Sequence, residues 1–254
     1  MLVAVDIGNT NIVVGVFKGE ALERHWRIST DKKRTSDEYG VMLLNLFAAS
    51  LLDKKEVNGA VICSVVPGLN KVFQDAFSDY FSIKAPVVGE DIKAGIPVLT
   101  DNPSEVGADR IVNAVAAYDT YKTALIIVDF GTAVTFDYVT PKGEYAGGVI
   151  APGISISSEA LYEKTAKLPM VEAARPDNVV GRNTVESMRS GIFWGFIGLV
   201  DGIIEKIKWE VKTEPRVIAT GGLAPLVINE SRYVTESDEF LTLKGLKIIY
   251  EGIR

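Results

Sequence analysis

The 254-residue sequence predicts an α/β fold built by duplication, with each half ordered βββαβα. Three observations predict it. The phrase Val3-Ala4-Val5-Asp6-Ile7-Gly8-Asn9-Thr10 is answered by Ile126-Ile127-Val128-Asp129-Phe130-Gly131-Thr132-Ala133. Each reads as an apolar strand ending in Asp, then x-Gly. Each phrase also leads to a second strand and a Lys-Gly hairpin, at Lys18-Gly19 and at Lys142-Gly143. Finally, the whole order of strand, turn and helix signals recurs, which is far more specific than one repeated Asp-x-Gly. The halves are expected at residues 1–117 and 118–254.

In the first half, Leu2–Ile7 and residues 12–17 and 21–28 read as strands. Gly8-Asn9-Thr10-Asn11 links the first two. Lys18-Gly19-Glu20 makes the next hairpin, with Gly19 where φ is positive. Residues 36–52 have helical spacing, because Tyr39, Met42, Leu43, Leu46 and Phe47 share a face. Residues 57–66 form a fourth strand, ended by Pro67-Gly68, and 69–80 a second helix. Asn102-Pro103-Ser104-Glu105 carries a helix start: a capping Asn, Pro in the first turn and an acid able to reach back. That helix is expected to run through Gly107-Ala108-Asp109-Arg110 to Tyr121.

The second half repeats the pattern with strands at 124–129, Ala133–Val139 and 144–150. Helical stretches follow from Ile154 and over 184–208, the latter started by Asn183-Thr184-Val185-Glu186. Arg216–Thr220 reads as a strand, followed by Gly221-Gly222 and a further helix; 242–250 closes as a strand or helix end. Gly191, Gly195, Gly198 and Gly202 are spaced four, three and four apart and fall on one helical face. Each costs the helix about 1 kcal/mol relative to Ala. Such a stripe implies close packing against another helix or a second subunit, and a homodimer is expected.

Composition narrows the function. Net charge is −6 with no standout basic patch, which argues against nucleic acid as a partner. Cys63 is the one cysteine and His25 the one histidine, so an intramolecular disulfide and a Cys cluster are excluded, and His-centred triads and His-rich zinc sites are disfavoured. Proton transfer falls to carboxylates. The longest apolar run, 191–200, is too short to span a bilayer. Asp6 interrupts the first apolar stretch and no cationic segment precedes it, unlike a secretory signal. A cytoplasmic protein with no membrane partner is expected.

An Asp at the end of an apolar strand is costly unless something binds it. Gly two residues on allows backbone N–H groups to approach a phosphate. Asp6 with Gly8, Asn9, Thr10 and Asn11 fits one half of a phosphate clamp. Asp129 with Gly131 and Thr132 fits the other. Strand, Gly221-Gly222 and helix would let a purine lie on backbone. Together these match the nucleotide-binding pattern of the actin and hexokinase superfamily. The expected architecture is two ribonuclease-H-like (actin-like ATPase) domains with ATP in the cleft between them. Asp109, between Gly107-Ala108 and Arg110, could accept the proton of an alcohol, and Arg110 could meet substrate or phosphoryl charge.

The chain resembles the type III pantothenate kinase family. The resemblance is carried by Asp6-Ile7-Gly8-Asn9-Thr10, by Asn102 to Arg110, by Asp129-Phe130-Gly131-Thr132-Ala133 and by Gly147-Gly148-Val149-Ile150-Ala151-Pro152-Gly153. Thr165 to Pro169 and Gly181 to Thr184 extend it over essentially the whole chain. It implies ATP-dependent phosphorylation of pantothenate to 4′-phosphopantothenate, the first step of coenzyme A biosynthesis, in a homodimer. It implies that Asp6, Ile7, Gly8, Asn9, Thr10, Asn11, Ile12 and Val13, with Thr132, bind ATP. Asp109 matches the catalytic base, Gly107, Ala108, Asp109 and Arg110 the pantothenate-binding run, and Thr184 a substrate contact. Asp129 matches the ligand of a monovalent cation, potassium or ammonium, and Mg2+ accompanies ATP. Thr100 stands where the family often has Tyr, and it is left out of the site. Two other readings stay open: a kinase of the same superfamily acting on another alcohol, and a non-catalytic transcriptional accessory factor.

Overall fold

A computed structural model describes residues 1–253. The chain forms two compact units. The first comprises residues 1–96, 102–116 and the segment from Leu241; the second comprises 97–101 and 117–240.

The first unit holds a four-stranded sheet of β1 (Leu2–Ile7), β2 (Asn11–Lys18), β3 (Ala21–Ser29) and β4 (Gly59–Ser64), in the order β3-β2-β1-β4. β1–β2 and β2–β3 are antiparallel hairpin pairs, and β1–β4 is parallel. Gly19 turns the second hairpin with φ +60. β1 and β4 are covered on both faces, which is why both read as unbroken apolar runs. Side chains alternate between the faces. Val3, Val5, Ile7, Ala60 and Ile62 enter a core completed by α1 (Ser36–Ala49) and α2 (Pro67–Phe81), through Tyr39, Leu43, Phe47, Phe73 and Phe77. Thr35 caps α1 in a reciprocal capping box with Glu38.

The other face carries Ala4, Asp6, Val61 and Cys63. It is covered by α7 (Leu241–Gly252). The closing segment, legible in sequence only as strand or helix, is therefore a helix, and it packs on the first sheet. Glycine makes that packing possible. A Cβ on Gly15 would lie 2.6 Å from the Leu243 side chain, and one on Gly59 would overlap Tyr250. Gly245 of α7 in turn lies against the Val112 backbone of α3 (Ala108–Tyr121).

The second unit repeats the sheet with β5 (Leu125–Phe130), β6 (Ala133–Val139), β7 (Tyr145–Pro152) and β8 (Arg216–Thr220), in the order β7-β6-β5-β8. Position for position this is the order of the first sheet, with β5–β8 parallel as β1–β4 are. Its core joins Ile126, Val128 and Phe136 to Phe193, Phe196 and Val200 of α5 (Thr184–Val211). α4 (Ile154–Lys164) follows β7, and a single turn, α6 (Ala224–Val227), follows β8.

The expected helix start at Asn102 is corrected. Pro103–Glu105 is one 3-10 turn, Val106 is extended (φ −76, ψ 125), and α3 begins afresh at Ala108. Asn102 provides no cap because its side chain is engaged within the turn. Its amide donates to Glu105 Oε1 (2.7 Å) and its Oδ1 accepts from Ser104 Oγ (2.7 Å). The break leaves Asp109 in the first turn of α3.

Candidate active site

In the first unit, Asp6 ends β1, paired in register with Val13 of β2 and Cys63 of β4. The turn that follows closes on itself. Gly8 N–H donates to Asn11 O (3.0 Å), and a Cβ on Gly8 would lie 2.9 Å from that oxygen. The end of β3 pins it: Thr30 Oγ1 donates to Gly8 O (2.7 Å) and Thr30 N–H to Thr10 O (3.0 Å). Asn9, Thr10 and Asn11 are exposed at the tip, whereas Ile7 and Ile12 point into the core. Those two isoleucines shape the turn by packing and leave only backbone to a ligand.

Asp109 lies in the first turn of α3, where an acid is favoured by the helix N-terminus. Its Oδ1 accepts from Arg110 N–H (2.9 Å) and folds back over Gly107, whose Cβ would lie 2.5 Å from that oxygen. A side chain on Gly107 would therefore displace the Asp109 carboxylate from this position. Burial raises the Asp109 pKa above the usual carboxylate range, against the opposing pull of the Arg110 N–H and guanidinium. Buried Cys63 registers both acids. Burial is the main force pushing its thiol up, followed by the charges of Asp6 and then Asp109. No spacing in the sequence signals that Cys63 sits near two acids, because the β1–β4 register is long-range.

In the second unit, Asp129 ends β5 and the two-residue turn Gly131-Thr132 is exposed. Two junctions press on it. Gly153, between β7 and α4, lies against the carbonyls of Gly131 and Thr132. Gly221, after β8 and with φ +88, lies against Asp129: its Cβ would be 2.7 Å from both Asp129 Oδ1 and Phe130 O. A carboxylate and a carbonyl oxygen therefore lie close against Gly221. Among the described residues, no group of three His, Cys, Asp or Glu side chains could hold a metal alone.

Thr184 is the exposed first residue of α5, capped by Asn183, whose Oδ1 accepts from Glu186 N–H (2.9 Å). It borders a cavity of about 540 Å³ lined also by Leu161, Leu168, Arg182 and Met188. Thr100 is half-buried, and its Oγ1 finds no hydrogen-bond partner. The glycine stripe of α5 faces open space. Among the described residues, and leaving aside the backbone of α5 itself, nothing lies within 4 Å of a Cβ built on Gly191, Gly195, Gly198 or Gly202, so no described helix packs on it.

The family model for type III pantothenate kinase matches residues 2–206. The chain belongs to the type III pantothenate kinase family. It is 58% identical over 254 residues, all of both chains, to the type III pantothenate kinase of Pelobacter propionicus. Among solved structures it resembles a Campylobacter jejuni protein assigned to the Baf family of transcriptional activators. That match has a TM-score of 0.62 at 18% identity, covering 99% of this chain and 98% of the other. It also resembles the polyphosphate/ATP-glucomannokinase of an Arthrobacter strain, with a TM-score of 0.51 at 14% identity, covering 100% and 99%. These distant likenesses show the fold, the duplicated actin-like ATPase and sugar-kinase architecture. Among the described residues no helix is long and apolar enough to cross a membrane.

Proposed function

We propose that the protein transfers the γ-phosphoryl group of ATP to the primary alcohol of pantothenate, yielding 4′-phosphopantothenate and ADP, the first step of coenzyme A biosynthesis. The observation that carries this reading is Asp109: a carboxylate of raised pKa, at a helix start, whose charge reaches Cys63 on the sheet face that also carries Asp6. The alcohol oxygen attacks γ-phosphorus, the bond to the β,γ-bridging oxygen breaks, and the alcohol proton passes to Asp109. A raised pKa makes that carboxylate a stronger base for the alcohol proton.

The turn from Asp6 to Val13 and Thr132 hold the ATP phosphates; the tip residues Asn9, Thr10 and Asn11 do so with side chains, Ile7 and Ile12 through backbone. Gly107 to Arg110 and Thr184 hold pantothenate, whose carboxylate suits the unpaired N–H groups at the start of α5. Asp129 holds a monovalent cation, potassium or ammonium. Mg2+ would accompany ATP near Asp6 and supply charge neutralisation on the phosphates. The open glycine face of α5 suits a second copy of the chain, giving a cytoplasmic homodimer. Replacing Gly195 and Gly198 with Leu is expected to convert dimer to monomer; an unchanged sedimentation profile would reject that interface.

A coupled ADP-release assay with pantothenate, with and without potassium, tests the reaction. Release that requires pantothenate and rises with potassium is expected. No ADP release with any cation would reject the kinase reading and leave a binding-only role, and release only with a different alcohol would reject pantothenate.

A further inference from the structure

We propose that Gly153 and Gly221 are positioning residues for the Asp129–Thr132 turn, seating the β7–α4 and β8–α6 junctions against its two sides where a side chain would hold them off. The inference rests on the proposed role of that turn in binding ATP.

Gly153 makes the sharper case. Its backbone is ordinary extended chain (φ −68, ψ 163), a conformation any residue adopts, so it is not required by the torsion angles. What excludes a side chain is the neighbour. A Cβ there would overlap the Thr132 carbonyl oxygen and approach Gly131 O to 2.8 Å and Thr132 C to 3.0 Å. All of these are backbone atoms, which cannot swing aside as a side-chain tip can. An alanine can be accommodated only if the Gly131-Thr132 turn shifts. Gly221 approaches from the β8 side, touching Asp129 Oδ1 and the Phe130 carbonyl, and its φ of +88 adds strain for any other residue. The segment read as a bed for adenosine therefore also abuts the carboxylate at the foot of the phosphate turn, making one backbone-packed unit of both.

The test compares Gly153→Ala and Gly221→Ala with Gly252→Ala, the same change where a Cβ meets nothing within 4 Å. Affinity for a non-hydrolysable ATP analogue is measured by titration calorimetry, with melting curves and steady-state KM for both substrates. A misplacement of about 1 Å in positioning elements can cost about 100-fold. Gly153→Ala is expected to melt cooperatively, to weaken analogue binding by about tenfold or more and to raise KM for ATP. KM for pantothenate should stay within about twofold, and Gly252→Ala should match the parent. Gly221→Ala is expected to weaken the analogue as well, with a lower Tm. Unchanged analogue affinity in Gly153→Ala overturns the proposal. So does an equal rise in both KM values, or loss of the cooperative melt in both variants, since either assigns the glycines a general structural role. If the parent binds the analogue but fails to phosphorylate pantothenate, the functional reading falls while the binding comparison still decides this one.

Discussion

The two Asp-x-Gly turns sit at matching places in matching sheets, yet they are held in different ways. The turn after β1 is self-supporting: Gly8 N–H bonds Asn11 O within the turn, and Thr30 of the same hairpin ladder ties down Gly8 and Thr10. The turn after β5 is shorter and is propped from outside by Gly153 and Gly221. The acids differ too. Asp6 shares its surroundings with Asp109, both felt by Cys63, whereas Asp129 meets the backbone of Gly221. The scaffold is common and what packs on each turn differs; under the proposed function both turns serve ATP, and only the first has a proton acceptor, Asp109, beside it, which separates the two.

The largest expected effect tests that separation. Asp109→Asn should lower kcat by about 10³-fold, within the usual range for general-base removal, while ATP-analogue affinity stays near the parent's. Near-normal turnover would return the base to another group. The same carboxylate should set the acid limb of the rate profile. Its folded pKa is raised, so kcat/KM should fall on acidification at a pH above the ordinary carboxylate range. Stability runs the opposite way. A carboxyl with a raised folded pKa contributes stability below its unfolded pKa, and that contribution is lost as pH rises through the folded value. Asp109→Asn should therefore melt at or above the parent temperature at pH 7 and lose that advantage below pH 4. A lower Tm at pH 7 would count against burial as the cause of the shift.

A smaller effect contrasts the turns directly. A Cβ on Gly8 meets Asn11 O at 2.9 Å, whereas on Gly131 the nearest atom is Ala133 O at 3.4 Å. Gly8→Ala should cost about 1–3 kcal/mol in urea unfolding and Gly131→Ala under about 1 kcal/mol. Equal costs would erase the distinction between the two turns. Smallest of all, Thr30→Val removes one hydrogen bond to Gly8 O and should cost about 1 kcal/mol, with a rise in KM for ATP but not for pantothenate.

The fold was largely legible because its signals are local. Gly19 and Gly143 announce their hairpins by a requirement for positive φ, and Asn183 caps α5 as its spacing predicts. Boundaries failed where side chains had competing partners. Asn102 has every feature of a cap, but Glu105 and Ser104 occupy its amide, so α3 begins at Ala108. Of the candidate site, residues in turns could be named in advance. The roles of Cys63, Gly153 and Gly221 depend on register and on close approach between segments distant in sequence, which no local pattern encodes. Ile7 and Ile12 were legible as part of the turn, but their burial restricts them to backbone roles.

The return of α7 to the first sheet has a consequence for biosynthesis. The second unit, but for the short 97–101 stretch, is one continuous insertion within the sequence of the first. On the ribosome, β1 to β4 emerge early, but the helix that covers the Asp6 face emerges after every strand of both sheets. The inserted unit has all of its own chain available sooner. Until Leu243 and Tyr250 arrive, the strip along Gly15 and Gly59 stays wet. The earliest part of the molecule to be synthesised is thereby among the last to be completed, and a chain terminated before Leu241 would be released with one face of its N-terminal sheet uncovered.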